Sequence, residues 1–157
     1  MKIKVICVGK THHAALKSWL PDYSKRLSRY TSFDWHEINE VKNTKNLPEK
    51  QQKIDEGKRI LEAVRASDTL ILFDEKGSTH TSKGFAGFLQ KQMNAGTKKL
   101  VFIIGGPYGF SQQLCDRAQY KIALSEMTFS HQMVRIFVAE QLYRAFSILN
   151  NQPYHHQ

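Results

Sequence analysis

Leu100-Val101-Phe102-Ile103-Ile104-Gly105-Gly106-Pro107-Tyr108-Gly109 is five apolar residues running without a break into a glycine-rich turn. An unbroken apolar run of this length reads as a strand buried on both faces, which calls for a parallel sheet between two helical layers. A second short strand, Tyr120 to Ala123, leads into Leu124-Ser125-Glu126-Met127-Thr128-Phe129-Ser130-His131, rich in small and hydroxyl side chains. Two strand-end loops are therefore candidates to hold a ligand. In open α/β sheets ligands bind beyond the carboxyl ends of the strands, where glycine lets backbone amides approach closely and helix starts expose unpaired N–H groups. The glycines fit neither G-x-G-x-x-G nor G-x-x-x-x-G-K-[ST], so dinucleotide and P-loop sites lose support. A reading in which they only end the strand and turn the chain also stands at this point.

Working outward, Ile3 to Val8 is a strand that becomes more buried as it proceeds and stops at Gly9. Leu16, Trp19, Leu20, Tyr23, Leu27 and Tyr30 recur at helical spacing, predicting a helix from about Ala14 to Arg29 that packs on the sheet. Pro21 should kink that helix or restart it, because it lacks an amide hydrogen and clashes with the preceding turn. Phe33 to Ile38 reads as a strand, and Asn39 to Leu47 as a mobile loop. Pro48 opens a helix reaching about Ala66, and Thr69 to Asp74 is an unbroken apolar strand with a central place in the sheet. Ser82 is the expected cap of the next helix, which ends near Gly96, and Ser111 the expected cap of a short helix over Leu114 and Ala118. A last helix from about Gln132 carries Val134, Phe137, Val138, Leu142, Ala145, Phe146 and Leu149 as a broad apolar stripe. The alternation of strand and helix defines one three-layer α/β domain over residues 1–157, a mostly parallel sheet with helices on both faces.

Lys and Arg outnumber Asp and Glu by 23 to 14, giving a formal charge of +9 that favours a polyanionic partner, nucleic acid first. Cys7 and Cys115 form no C-x-x-C and no zinc-ligand spacing, so no metal is expected. No apolar run approaches the roughly 20 residues of a membrane span, and a reducing cytoplasm is the expected setting.

Glu140 and Arg144 are spaced for an i, i+4 pair, whereas Arg135 points away from Glu140 and need not share a ligand with Arg144. His131 is a candidate titrating group beside the helix start, with a hydrogen-bonded structural role as the plainer reading. The tail, Asn150 to Gln157, carries Tyr154, His155 and His156 and reads either as a base-stacking segment or as a frayed end.

Gly105-Gly106-Pro107-Tyr108-Gly109, Leu124 through Arg135, Glu140-Gln141-Leu142-Tyr143-Arg144-Ala145 and Tyr154-His155 together resemble the signature of the SPOUT methyltransferases that act on N3 of a pseudouridine in large-subunit ribosomal RNA. The resemblance spans the chain from Val8-Gly9-Lys10 to the tail. It implies a C-terminal trefoil knot, S-adenosylmethionine as cofactor, 23S ribosomal RNA as substrate, and a homodimer whose active site draws on both subunits. By position, the cofactor-contacting segments fall on Phe73, Gly105, Leu124, Ser125, Glu126, Met127, Thr128 and Phe129. Glu140, Arg144, Tyr154 and His155 are the implied catalytic candidates, none of them singled out as the base. Two departures stand out: His156 follows His155 where relatives often carry a cation, and Phe137-Val138 replaces an aliphatic pair, read as a change within the core. The rival readings are a non-catalytic, ribosome-associated RNA-binding module and a nucleotide-binding oxidoreductase.

Overall fold

In the computed structural model, which describes residues 1–41 and 47–155, the apolar runs become five strands alternating with five helices. In chain order these are β1 (Lys2–Val8), α1 (Ala14–Leu27), β2 (Ser32–Ile38), α2 (Glu49–Glu62) and β3 (Thr69–Thr79). Then come α3 (Ser82–Asn94), β4 (Lys99–Ile104), α4 (Gln112–Arg117), β5 (Tyr120–Ala123) and α5 (Met133–Leu149). The strand order is β2-β1-β4-β3-β5 and every pairing is parallel.

Why the sheet needs two helical layers is visible in β1, β3 and β4, whose successive side chains are apolar on both faces. Val5, Ile71 and Phe102 pack with Leu27 of α1, Phe85 and Leu89 of α3, and Val138 and Leu142 of α5. On the opposite face Ile6, Leu72, Val101 and Ile103 pack with Ile60 of α2 and Leu114 of α4. Each such side chain removed from water contributes about 1.5–3 kcal/mol, so the central strands hold the layers together.

Several expectations are corrected. α1 continues through Pro21 as one helix; Pro21 is exposed, so its ring and the carbonyl left without a donor lie on the water side. Trp19 is 59% exposed rather than packed on the sheet, because α1 lies against α5 through Leu16 and Leu20, which meet Ile136 and Ala139. Thr81, not Ser82, caps α3: its Oγ1 accepts from the Gly84 amide at 3.0 Å, and Ser82 is already helical. Ser111 caps α4 as expected, accepting from the Leu114 amide at 3.3 Å. α2 stops at Glu62, short of Ala66. The expected mobile loop, Asn39 to Leu47, falls mostly on residues 42–46, outside the described residues. The stripe of α5 is largely consumed within the chain, with Val138, Leu142, Ala145 and Phe146 on the sheet and Ile136 on α1. Phe137, placed in the core by the sequence reading, is 38% exposed.

β3 runs past Asp74 to Thr79, and its register against β5 shifts between Phe73 and Ser78. The excursion rests on Gly77, where an added Cβ would lie 2.5 Å from Ile122 N and 2.6 Å from Ile122 C, so backbone approaches backbone with no room for a side chain. It carries Asp74, Glu75 and Lys76 out beyond the sheet, where the functional cleft opens.

Candidate active site

The carboxyl ends of β3, β4 and β5 converge on a cleft of about 580 Å³, within the roughly 300–1,000 Å³ usual for a small-molecule site. Phe73 to Lys76 line it from β3, Gly105 to Phe110 from β4, and Leu124, Ser125 and Met127 to His131 from β5, with Val134 entering from the first turn of α5. Of the residues that the resemblance assigns to the cofactor, Phe73, Gly105, Leu124, Ser125, Met127, Thr128 and Phe129 meet here. Glu126 does not. Ser125 Oγ accepts from the Met127 amide at 2.9 Å, a tight turn that leaves the exposed Glu126 outside the lining. Thr128 Oγ1 donates to Glu75 Oε2 at 3.2 Å and ties the β5 loop to the β3 excursion. Lys53, Lys76 and Lys121 face the cleft along with Asp74 and Glu75, so its polar rim carries both signs beside an apolar wall of Phe73, Ile104, Leu124 and Phe129.

In the β4 loop the Gly109 amide donates to Gly106 O at 3.2 Å, with Gly109 at φ +80°, where a side chain would be strained. A Cβ on Gly105 would lie 3.0 Å from Phe110 Cε1. Any larger side chain must displace that ring within the lining. Gly105→Val is therefore expected to leave the protein folded and to reduce cofactor affinity at least ~100-fold, loosening and filling the cradle together. Calorimetric titration beside a thermal melt checks this: unchanged affinity in a folded variant would contradict the placement.

Arg135 is fully buried and belongs to the scaffold. Its Nε donates to His131 O at 3.0 Å, Nη1 to Gly9 O at 3.0 Å and to Thr11 Oγ1 at 2.8 Å, and Nη2 to Val8 O at 2.8 Å. Glu37 Oε1, 3.5 Å away, supplies a countercharge. One guanidinium thus staples the end of the β5 loop to the end of β1. His131 itself lines the cleft, and burial, followed by the charge of Arg135, holds its imidazole below the ordinary value.

Glu140, Arg144, Tyr154 and His155 form a second cluster. Arg144 donates to Glu140 Oε1 from Nε at 2.9 Å and from Nη2 at 2.5 Å, and Tyr154 OH donates to the same oxygen at 3.2 Å. The guanidinium lies over the Tyr154 ring, 4.8 Å from its centroid, and Nη1 is 3.4 Å from His155 Nδ1. The tail is accordingly docked rather than loosely held. Tyr154 packs edge-on against Tyr143 at 4.6 Å, the Gln152 amide donates to Ser147 O at 2.9 Å, and Tyr30 OH donates to Gln152 Oε1. Burial, then the Tyr23 hydroxyl and Glu140, keep the Tyr154 phenol protonated far above its usual range. His155 Nε2 is buried with no partner among the described residues. His156 lies outside the described residues.

The two clusters do not meet within one chain. No member of the tail cluster lines the cleft. Along α5, Glu140 and Arg144 lie about 9 and 15 Å beyond Val134, at ~1.5 Å per residue. Sequence reading missed the contributions of Asp74, Glu75, Lys53 and Gly77. Only the Lys76-Gly77 pair signalled a break, and it reads equally well as a strand end.

A parallel α/β sheet with a strand-end cleft of this kind is a small-molecule-binding architecture, and the comparisons narrow the class. The family description "Predicted SPOUT methyltransferase" matches residues 1–155. The chain belongs to the SPOUT methyltransferase family. Proteins named "Ribosomal RNA large subunit methyltransferase H" are similar over full length: 57% identity in Flavobacterium johnsoniae, 53% in Christiangramia forsetii and 49% in Parabacteroides distasonis, each covering 100% of both chains. A solved structure titled as a probable methylase family protein from Haemophilus influenzae Rd KW20 shares the fold. It has a TM-score of 0.52 and 13% identity, and the match covers 99% of this chain and 70% of that one.

Proposed function

We propose that this methyltransferase moves a methyl group from S-adenosylmethionine to N3 of a pseudouridine in 23S ribosomal RNA, working as a homodimer in the cytoplasm. The observation that carries the cofactor assignment is the convergence of three strand-end loops on one cleft with a glycine cradle, an apolar wall and a rim of both charges. That donor set suits a zwitterion joined to a flat purine. Relatives named for large-subunit ribosomal RNA support the substrate, as does the charge of +9. The trefoil knot belongs to the same reading; the chain leaves β4, passes β3 and returns as β5 on its far side, an order that supports it.

When bound, S-adenosylmethionine supplies a methyl group activated by a sulfonium, so the protein's task is alignment and charge stabilisation rather than nucleophilic attack. Gly105, Leu124 and Phe129 would hold the donor, and Arg144, fixed by two hydrogen bonds to Glu140, stabilises negative charge developing on the imide. Glu140 serves as an anchor, since Oε1 already accepts from Arg144 and Tyr154 and Oε2 from Gln141 at 2.7 Å. Tyr154 is protonated, Arg144 is donor-only, and Glu140 and His155 are both engaged with Arg144, so the four serve to orient and to stabilise charge. The imide proton leaves to water.

Because cleft and tail cluster are apart in one chain, the reading needs a partner's tail at each cleft. Met133, Phe137 and Phe129, the last two 4.9 Å apart ring to ring, leave exposed apolar surface at the start of α5 beside the cleft, and Trp19 is exposed on α1; such side chains suit a second copy. Sedimentation at micromolar concentration should give a dimer, and a fully active monomer would refute this. Binding to ribosomal RNA should weaken steeply with salt, as phosphate contacts release counterions, and a flat salt dependence would contradict an electrostatic interface. Calorimetry with S-adenosylmethionine and with NAD separates the reading from its rivals: the former alone should bind.

A further inference from the structure

We propose that Glu56 is a positioning residue for the cleft: its carboxyl group is the seat on which Gly106, and with it the Gly105–Gly109 loop, rests. The inference builds on the reading of that cleft as the methyl-donor site. Glu56 lies on α2, outside the lining, and is only 3% exposed. Burying a carboxyl group is costly unless it is hydrogen-bonded, and Gln52 Nε2 donates to Oε1 at 2.9 Å. Oε2 is buried with no partner among the described residues. The other side of that carboxyl is the backbone of Gly106, where an added Cβ would lie 2.6 Å from Oε2, 3.0 Å from Oε1 and 3.1 Å from Cδ. All three atoms fall within one close approach, so the group lies flat against the glycine. The next residue repeats the arrangement, since a Cβ on Gly57 would collide with Ser111 Oγ. Helix α2 thus grips the β4 loop at both ends, Glu56 at Gly106 and Gly57 at Ser111, while the loop's opposite side forms the cleft. Burial raises the Glu56 carboxyl above its ordinary value, with Glu40 adding to the rise and Gln52 and Arg59 opposing it.

The test combines three variants with calorimetry of S-adenosylmethionine and steady-state methyl transfer. Glu56→Gln preserves shape and the Gln52 bond and should bind the donor within about twofold of the parental protein. Glu56→Asp draws the carboxyl back by one methylene and should raise KM for the donor roughly tenfold, leaving kcat and the KM for RNA nearly unchanged. Gly106→Ala should also weaken donor binding about tenfold or more, and combining it with Glu56→Asp should restore part of the loss, because the shorter acid makes room for the methyl group. Strictly additive losses in the double variant, or parental donor affinity in both Glu56→Asp and Gly106→Ala, would overturn the inference. Failure of the parental protein to bind S-adenosylmethionine would overturn the donor reading and this inference with it, and is told apart by the parental titration alone.

Discussion

Arg135→Met will melt roughly 6–20 °C below the parental protein. Removing one partner of a buried ionic network costs about 3–5 kcal/mol, and in a chain of this size each kcal/mol moves Tm by about 2–4 °C. The physical reason is the number of groups one side chain satisfies: the carbonyls of Val8, Gly9 and His131, the Thr11 hydroxyl and the Glu37 carboxylate. Methionine fills the volume and satisfies none of them. Donor affinity should fall as well, because the staple sets where the β5 loop ends. Arg135→Lys keeps the charge but cannot span the same fork of acceptors, and should fall between the two. Scanning calorimetry checks the series, and a Tm for Arg135→Met within about 2 °C of the parental value would contradict it.

Removing Pro153 through Gln157 is expected to cut methyl transfer to ribosomal RNA by at least ~100-fold while S-adenosylmethionine affinity stays near parental. Without Tyr154 and His155, Arg144 keeps its two bonds to Glu140 but loses its covering ring and one neighbour, so the guanidinium is no longer held on its other side and the tail's contacts to the substrate are gone. Cofactor affinity is spared because the cleft is lined by the strand-end loops of its own chain and no member of that chain's tail cluster belongs to the lining. A frayed end would be lost without thermal cost, but this tail is packed against Tyr143 and Tyr23, so the truncated protein should also lose about 1–2 kcal/mol of stability. Three readouts separate the effects. Parental turnover would make the tail dispensable, and a collapse of donor affinity would move it into the cofactor pocket.

Much of this architecture was legible because the central strands are apolar without interruption. Leu100 to Ile104 and Thr69 to Phe73 have no polar face to show to water, which forces helices onto both sides of the sheet. The ligand loops followed from where those strands stop. What escaped reading depends on contacts distant in sequence. Nothing near Arg135 announces that its partners are Val8, Gly9 and Thr11, more than a hundred residues earlier. Glu56 stands in a polar stretch and looks solvated until Gly106 is laid against it. Helical spacing set Trp19 beside Leu16 and Leu20, yet α5 covers only part of that face. The docked tail escaped for the same reason, since its anchors Tyr23 and Tyr30 sit on or just beyond α1. Neither composition nor periodicity reached the methyl-transfer chemistry; the ordered motifs of the last third did, through their family resemblance.

The central claim is tested most directly by supplying isotopically labelled S-adenosylmethionine and unmodified large ribosomal subunits to the purified protein, then resolving the RNA nucleosides by mass spectrometry. The account predicts label in a single nucleoside, pseudouridine methylated at N3. Label on another nucleoside, or none from a protein that binds the donor, would contradict it.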